Sequence, residues 1–149
     1  MIKIKRTDSN DTCFQNLVRQ LDGDLKNFYK DEQTTYQEYN KIDKIKHVIV
    51  AYEESEPVGC GAIKEYSENT MEVKRMFVPP TKRGKGIASI ILNELESWSN
   101  ELNCKTCILE TLKTKSDAIR LYEKNGYKII PNFGQYENLE NSVCFEKML

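Results

Sequence analysis

The middle of the chain contains two units in which a β-strand pattern is followed closely by an amphipathic helix pattern. The first unit is the run MEVKRMFV (residues 71–78) and a helix from Gly86 to about Leu102, with apolar residues recurring every three or four positions. The second is TCILETL (residues 106–112) and the helix pattern DAIRLYEKN, which Ser116 or Thr114 is expected to cap and Gly126 ends. This alternation favours an α/β fold, a sheet flanked by helices.

Further strand patterns lie on both sides of these units. MIKIKRT opens the chain, HVIVAYEES and PVGCGAIKEY predict a hairpin across residues 47–66, and YKIIP and SVCFEKML close the chain. A polar amphipathic region spans about residues 10–44, where Asp22, Gly23 and Asp24 predict a break between two helices. Because no repeat or flexible linker interrupts the pattern, we expect one domain over residues 1–149.

The charge balance argues against two classes of partner. Of 149 residues, 22 are Lys or Arg and 23 are Asp or Glu, so the net charge is -1. A nearly neutral chain gives no electrostatic reason to expect nucleic acid or an acidic membrane as the partner. The N-terminus lacks the apolar core of a secretory signal, and no run approaches the length of a membrane span. The cytoplasm is the expected location.

The cysteine pattern does not predict a metal site or a disulfide framework. The chain has five cysteines, an odd number, at scattered positions. Cys104 and Cys107 form a single CxxC spacing, but no second such pair exists and His47 is the only histidine. A zinc site therefore lacks ligands, and packing as small apolar side chains is the preferred interpretation. We expect no metal.

The loop FVPPTKRGKGIAS, residues 77–89, has the features of an anion site. Glycines just before a helix let its unpaired N–H groups and its dipole approach a ligand, and phosphate is the natural one. Lys82, Arg83 and Lys85 would add positive charge. The loop departs from a Walker motif at Ile87 and from a dinucleotide fingerprint at Ser89. A glycine turn at the start of a charged helix remains the alternative.

Two motifs together resemble the GNAT N-acetyltransferase superfamily. The sequence RGKGIA, residues 83–88, is similar to that family's pyrophosphate loop and follows a strand ending in Val-x-Pro, as in the family. AIRLYEKNGY, residues 118–127, resembles its second conserved helix. Many members carry asparagine at the position that Lys115 fills here, so this chain departs from the family's pattern at a residue that makes a contact near the cofactor.

The resemblance implies a mixed α/β fold with a central twisted sheet. Strands 71–78 and 106–112 would run parallel and splay apart into a V that receives acetyl-CoA as cosubstrate. Backbone groups of Met76 and Val78 would bond the pantetheine amides. The residues implied in cofactor binding are Met76, Phe77, Val78, Arg83, Gly84, Lys85, Gly86, Ile87, Ala88 and Ser89.

Acyl transfer to an amine requires two proton movements. An alkylammonium has a pKa of about 10, so a base must remove a proton before attack. Glu72, on the strand lining the cleft, is the candidate base, directly or through a water; pairing with Lys74 is the alternative. Tyr122 matches the tyrosine that relatives use as general acid; a half-buried helix aromatic is the alternative. Because a phenol at about 10 is a weaker acid than a thiol at about 8.5, we expect a hydrogen bond to the leaving thiolate.

The sequence leaves the acceptor open among small molecules, amino acids and peptides. Strand alternation places Lys74 and Arg75 on opposite faces, and a cation facing the pocket would suit a carboxylate-bearing amine. Tyr36, Tyr39, Tyr66 and the loop 132–141 could wall the acceptor side. A non-catalytic acyl-CoA-binding module on the same fold is the alternative function. A homodimer, paired through the final strand at a sheet edge, also stays open.

Overall fold

The computed structural model describes residues 1–29 and 44–149. Within them, seven strands form one sheet in the order β1-β2-β3-β4-β5-β7-β6, flanked by helices. Short 3-10 turns follow β4 and precede β7, at Pro80–Lys82 and Gly134–Tyr136. The elements are β1 (Ile2–Thr7), α1 (Thr12–Tyr29), β2 (His47–Glu53), β3 (Glu56–Ser67), β4 (Thr70–Phe77), α2 (Ile87–Glu101), β5 (Thr106–Leu112), α3 (Ser116–Lys124), β6 (Lys128–Ile130) and β7 (Ser142–Met148).

The predicted hairpin between β2 and β3 is confirmed. The two strands are antiparallel, and Glu53 pairs with Glu56 across a two-residue turn. Glu54 and Ser55 in that turn have φ values of 50° and 69°. Positive φ at both central residues is the geometry that suits the twist of a two-residue hairpin.

Strands β4 and β5 form a parallel pair that separates after three residues. Their register consists of Thr70 with Thr106, Met71 with Cys107, and Glu72 with Ile108. The neighbouring pairs β3–β4 and β5–β7 are antiparallel and continue further along these strands. The predicted mixed sheet with a V between two parallel strands is therefore confirmed.

The sheet has an apolar core on each face. Helices α2 and α3 cover one face, and α1 covers the other. Gly61 on β3 allows α2 to approach closely, since a Cβ there would lie 2.6 Å from the Met76 sulfur and 2.9 Å from Ile91. The core under α2 and α3 includes Ile49, Ile63, Val73, Ile87, Ile91, Leu95, Leu109 and Phe145. The core under α1 includes Phe14, Leu17, Val18, Leu21, Val48, Ala62 and Leu112.

Three expectations about the elements need correction. Helix α1 runs unbroken through Gly23, because its apolar stripe continues on both sides, and the second predicted helix lies outside the described residues. Helix α3 has Lys115 at its N-cap without a side-chain cap, in place of Ser116 or Thr114. The final strand, β7, lies between β5 and β6, so β6 is the sheet edge. A homodimer stays a prediction.

Candidate active site

A groove of about 840 Å³ opens where β4 and β5 separate. The end of β4, the loop after it, the start of α2 and one side of α3 form its walls. The groove is lined by all the residues that the sequence implied for cofactor binding apart from Lys85, which is exposed. One linear segment therefore supplies most of one wall.

The loop before α2 presents backbone N–H groups without helical acceptors. Ile90 donates the first helical hydrogen bond, to the Gly86 carbonyl at 3.1 Å. The N–H groups of residues 87–89 precede that bond and have no acceptor inside the helix. Gly84 and Gly86 have φ values of 83° and 79°, and a Cβ built on either would meet nothing within 4 Å. This open, left-handed loop at a helix N-terminus fits a diphosphate.

Two of the loop cations, Lys82 and Arg83, already have acidic partners. Arg83 donates from Nε to the Val78 carbonyl at 2.8 Å, and its Nη2 lies 3.6 Å from an Asp24 oxygen. Lys82 Nζ lies 3.3 Å from Glu56. Asp24, on α1, lines the groove itself, so a carboxylate faces the predicted anion site. A diphosphate would have to compete with Asp24 for Arg83.

A smaller cavity of about 90 Å³ adjoins the groove on the α1 side of the sheet. Glu72 and Lys74 of β4 line it, as does Glu110 of β5. Strand alternation explains why Glu110 lies on the cavity side of the sheet. Cys107 and Leu109 of β5 enter the core under α2, and Glu110 points to the opposite face. The residues that line both cavities, and so mark their junction, are Met76, Lys115, Ala118 and Tyr122.

Glu72 lies in this cavity and also forms a polar cluster. Its Oε2 accepts a hydrogen bond from the Tyr136 hydroxyl at 2.9 Å and lies 3.5 Å from Lys74 Nζ. Lys74 donates to the same hydroxyl at 3.2 Å. Glu72 therefore lines the cavity, as a base would have to, and also pairs with Lys74; its role as the base stays a prediction.

Glu110 is a site residue that sequence reasoning missed. Its carboxylate accepts a hydrogen bond from the Ser142 hydroxyl at 2.6 Å. Burial raises the pKa of Glu110 to about 7, against the opposing effects of the Ser142 hydrogen bond and the Lys74 charge. The available signal was that Glu110 is the one charged residue of an otherwise uncharged strand, TCILETL.

Tyr122 is buried at the junction of the two cavities. Its ring packs against Tyr127 and Phe145, with centroid distances of 5.9 and 6.0 Å. Burial, with a smaller effect of the Glu110 charge, raises the pKa of Tyr122 above its ordinary value. The phenol therefore stays protonated at neutral pH and can donate a hydrogen bond. Among residues 1–29 and 44–149 its hydroxyl has no hydrogen-bond partner.

Lys74 and Arg75 do not lie on opposite faces as strand alternation suggested. Arg75 has a φ of 59°, which marks a bulge in β4, and both residues line the small cavity. Arg75 Nη1 donates to Asp22 of α1 at 3.2 Å. The bulge turns two successive cations toward the same side, which the sequence pattern could not reveal.

The predicted aromatic wall is present in part. Phe133 contacts both Tyr66 and Tyr136, with centroid distances of 5.2 and 5.4 Å. Tyr136, within the loop 132–141, lines the small cavity. Tyr36 and Tyr39 lie outside the described residues.

Two other expectations from the sequence concern a metal site and membrane-spanning segments. In the described part of the chain, no group of three His, Cys, Asp or Glu side chains is placed to hold a metal ion. Cys104 and Cys107 are free thiols buried in the core under α2. None of the helices in residues 1–29 and 44–149 has the length and apolar character needed to cross a bilayer. The cytoplasmic location stays a prediction.

The sequence model of the acetyltransferase (GNAT) family matches residues 14–127. The chain belongs to the GNAT family. The IAA acetyltransferase of Azospirillum brasilense is 31% identical over 150 residues, covering 99% of this chain and 98% of that protein. A Klebsiella pneumoniae protein with an attributed acyl-CoA N-acyltransferase activity is 30% identical in its crystal structure. The TM-score is 0.84, with 100% of this chain and 98% of that chain covered.

More distant GNAT structures share the fold. The paia N-acetyltransferase of Thermoplasma acidophilum, solved in complex with coenzyme A, has a TM-score of 0.72 at 18% identity, and 100% of this chain and 99% of that chain are covered. This GNAT chain is thus an N-acetyltransferase enzyme, and the relatives do not support the alternative of a non-catalytic module.

Proposed function

We propose that this chain transfers the acetyl group of acetyl-CoA to the primary amine of a small molecule, amino acid or peptide, by direct attack of the amine on the thioester. One observation carries the proposal: the groove of about 840 Å³ meets a small charged cavity at Tyr122, with the partly buried carboxyl of Glu110 on the cavity side. We further propose that residues 1–149 act as one domain.

The groove residues would bind the cosubstrate through the backbone. Bound acetyl-CoA supplies an acetyl group activated as a thioester. The N–H groups of residues 84–89 and the dipole of α2 would hold the diphosphate, with Arg83 beside it. The edge of β4 beyond Glu72, including Met76, has no pairing with β5, and its backbone, together with that of Val78 just after the strand, would be offered to an amide-bearing chain.

Glu110 is the better placed of the two carboxyls to accept the amine proton. A base works best when its pKa is near the operating pH, and the pKa of Glu110 is raised to about 7. Glu72 is already held by Tyr136 and Lys74. We therefore assign proton removal to Glu110, and assign to Glu72 the positioning of the cluster beside it, in place of the base role expected from the sequence.

Tyr122 would assist departure of the thiolate. Its hydroxyl keeps its proton at neutral pH because burial raises its pKa. It lies where the groove and the cavity meet, so it is placed to donate a hydrogen bond to the sulfur rather than to transfer the proton completely.

The charges of the small cavity favour an acceptor that carries a carboxylate as well as an amine. Lys74, Arg75 and Lys115 bring three cations to its lining, against the two acids Glu72 and Glu110. Its volume of about 90 Å³ suits the end of a small molecule more than a bulky group. A carboxylate would find charge-assisted donors there.

The test is chromatographic detection of free CoA from acetyl-CoA across amino acids, polyamines, aminoglycosides and lysine peptides. We expect carboxylate-bearing amines to raise CoA release above the background without acceptor, and the Tyr122→Phe variant to lose that increase. Thiol dyes are unsuitable because Cys13 is partly exposed. If acetyl-CoA binds but no amine in any class raises CoA release, the proposed acceptor chemistry is wrong.

A further inference from the structure

Lys115 stands out in the site because it belongs to both of its halves. Of the lysines in residues 1–29 and 44–149, it alone lines both the groove and the small cavity. It is the N-cap of α3, and its backbone is fixed by hydrogen bonds from its N–H to Leu112 at 3.0 Å and from Ile119 to its carbonyl at 3.1 Å. The side chain therefore starts from a rigid point at the junction.

We propose that Lys115 is itself an acetyl acceptor: with acetyl-CoA in the groove and no substrate amine present, the chain acetylates the Lys115 side chain. The inference rests on the proposed binding of acetyl-CoA in this groove. Substrate amines would reach the thioester through the small cavity, so a lysine at the mouth of that cavity shares their route. Proximity of this kind can replace a slow bimolecular reaction with a fast intramolecular one.

The surroundings of Lys115 favour its reaction as a nucleophile. Burial lowers its pKa, although the charges of Asp24, Asp117 and Glu110 act in the opposite direction. A larger fraction of neutral amine is therefore present than on an exposed lysine. Of these carboxylates, Asp24 lines the groove and Glu110 lines the cavity, so Lys115 interacts electrostatically with both halves of the site.

Transfer of the acetyl group to Lys115 needs no reactant other than acetyl-CoA. The Lys115 nitrogen forms a bond to the acetyl carbon, and the bond from that carbon to sulfur breaks. Of the two protons that the ammonium loses, one goes to the Glu110 carboxylate and the other to the departing thiolate. The product is acetyl-lysine and free CoA. Acetylation removes the positive charge of Lys115 and places an acetyl group at the junction, which would close the route for other amines.

Mass spectrometry can compare Lys115 with a matched lysine in one peptide. Cleavage after glutamate releases residues 111–123, which contain Lys113 and Lys115 and no other lysine. Lys113 is exposed and lines neither the groove nor the small cavity, so it reports chemical acetylation from solution. In protein incubated with acetyl-CoA alone, we expect acetylation of Lys115 to be on the order of a hundred-fold faster than that of Lys113.

Further measurements distinguish self-acetylation of Lys115 from the proposed function. The Lys115 rate should be independent of protein concentration, and Lys115→Arg should leave only the Lys113 background. Equal rates at the two lysines, or a Lys115 rate that rises with protein concentration, would overturn self-acetylation. If calorimetry shows acetyl-CoA binding and amines are acetylated while Lys115 is not, the inference fails and the proposed function stands. If acetyl-CoA does not bind, both fail.

Discussion

The groove and the small cavity are built in different ways. One wall of the groove presents backbone, because two left-handed glycines and a helix N-terminus lie inside one short segment. The cavity is formed by side chains from α1, β4, β5, the start of α3 and the turn Gly134–Tyr136, and its charged members are Glu72, Lys74, Arg75, Glu110 and Lys115. Backbone contacts suit a constant ligand, and side chains suit a variable one. Changes in the cavity should therefore alter turnover, and changes in the groove should alter acetyl-CoA affinity.

The largest expected effect is that of Glu110→Gln. Loss of the base should lower kcat/KM for the acceptor by about a hundred- to ten-thousand-fold and leave acetyl-CoA affinity unchanged. Because the pKa of Glu110 is raised to about 7, the carboxylate form is lost as pH falls through that value. The activity of the wild type should then fall about ten-fold per pH unit on the acid side of the inflection.

Steady-state kinetics across pH, with calorimetry for acetyl-CoA, check this prediction. Glu123→Gln is the matched control, since Glu123 is exposed on α3 and lines neither the groove nor the small cavity. A Glu110→Gln enzyme that keeps wild-type turnover and the same pH inflection would remove Glu110 from the mechanism. Loss of turnover in Glu72→Gln alone would return the base role to Glu72.

Tyr122→Phe should lower turnover by about ten- to a thousand-fold with near-normal acetyl-CoA binding. The substitution keeps the ring that packs against Tyr127 and Phe145 and removes only the hydroxyl. Rapid-quench measurement of acetyl transfer, compared with the acetyl-CoA dissociation constant, separates the two steps. Unchanged turnover would leave Tyr122 as a packing residue only.

Gly86→Ala should weaken acetyl-CoA binding by roughly ten-fold. At a φ of 79° an alanine is strained by about 1–2 kcal/mol, so the loop would shift and misplace its N–H groups. Gly23→Ala is the control, because Gly23 lies within α1 with nothing within 4 Å of an added Cβ. That control should raise stability slightly and leave binding unchanged. Equal acetyl-CoA affinity in all three proteins would show that the loop does not hold the diphosphate.

The smallest expected effect is a gain in acetyl-CoA affinity. Asp24→Asn removes the carboxylate that lies 3.6 Å from Arg83 in the groove, so acetyl-CoA should bind about two- to five-fold more tightly. Asp22→Asn is the control, since Asp22 contacts Arg75 and does not line the groove. Titration calorimetry at low salt gives both affinities. Weaker binding in Asp24→Asn would mean that Asp24 orders the loop instead of competing for Arg83.

Most of the fold could be predicted because its signals are local. The strand runs, the glycine before α2 and the apolar spacing of α2 placed the elements to within a few residues, and β5 was predicted at Thr106–Leu112 as observed. The break at Gly23 was predicted wrongly, because helix propensity is a weak preference that packing of α1 on the sheet outweighs.

The two parts of the candidate site also differ in how far local signals predict them. The sequence by itself indicated one wall of the groove, since residues 76–89 are contiguous and their backbone conformation follows from glycine and proline. Only the tertiary structure decided the cavity. It brought Glu110 beside Glu72 and Lys74, raised the pKa of Glu110 by burial, and turned Arg75 to the same side through a bulge. Burial and contacts between distant side chains depend on packing, which no local pattern records.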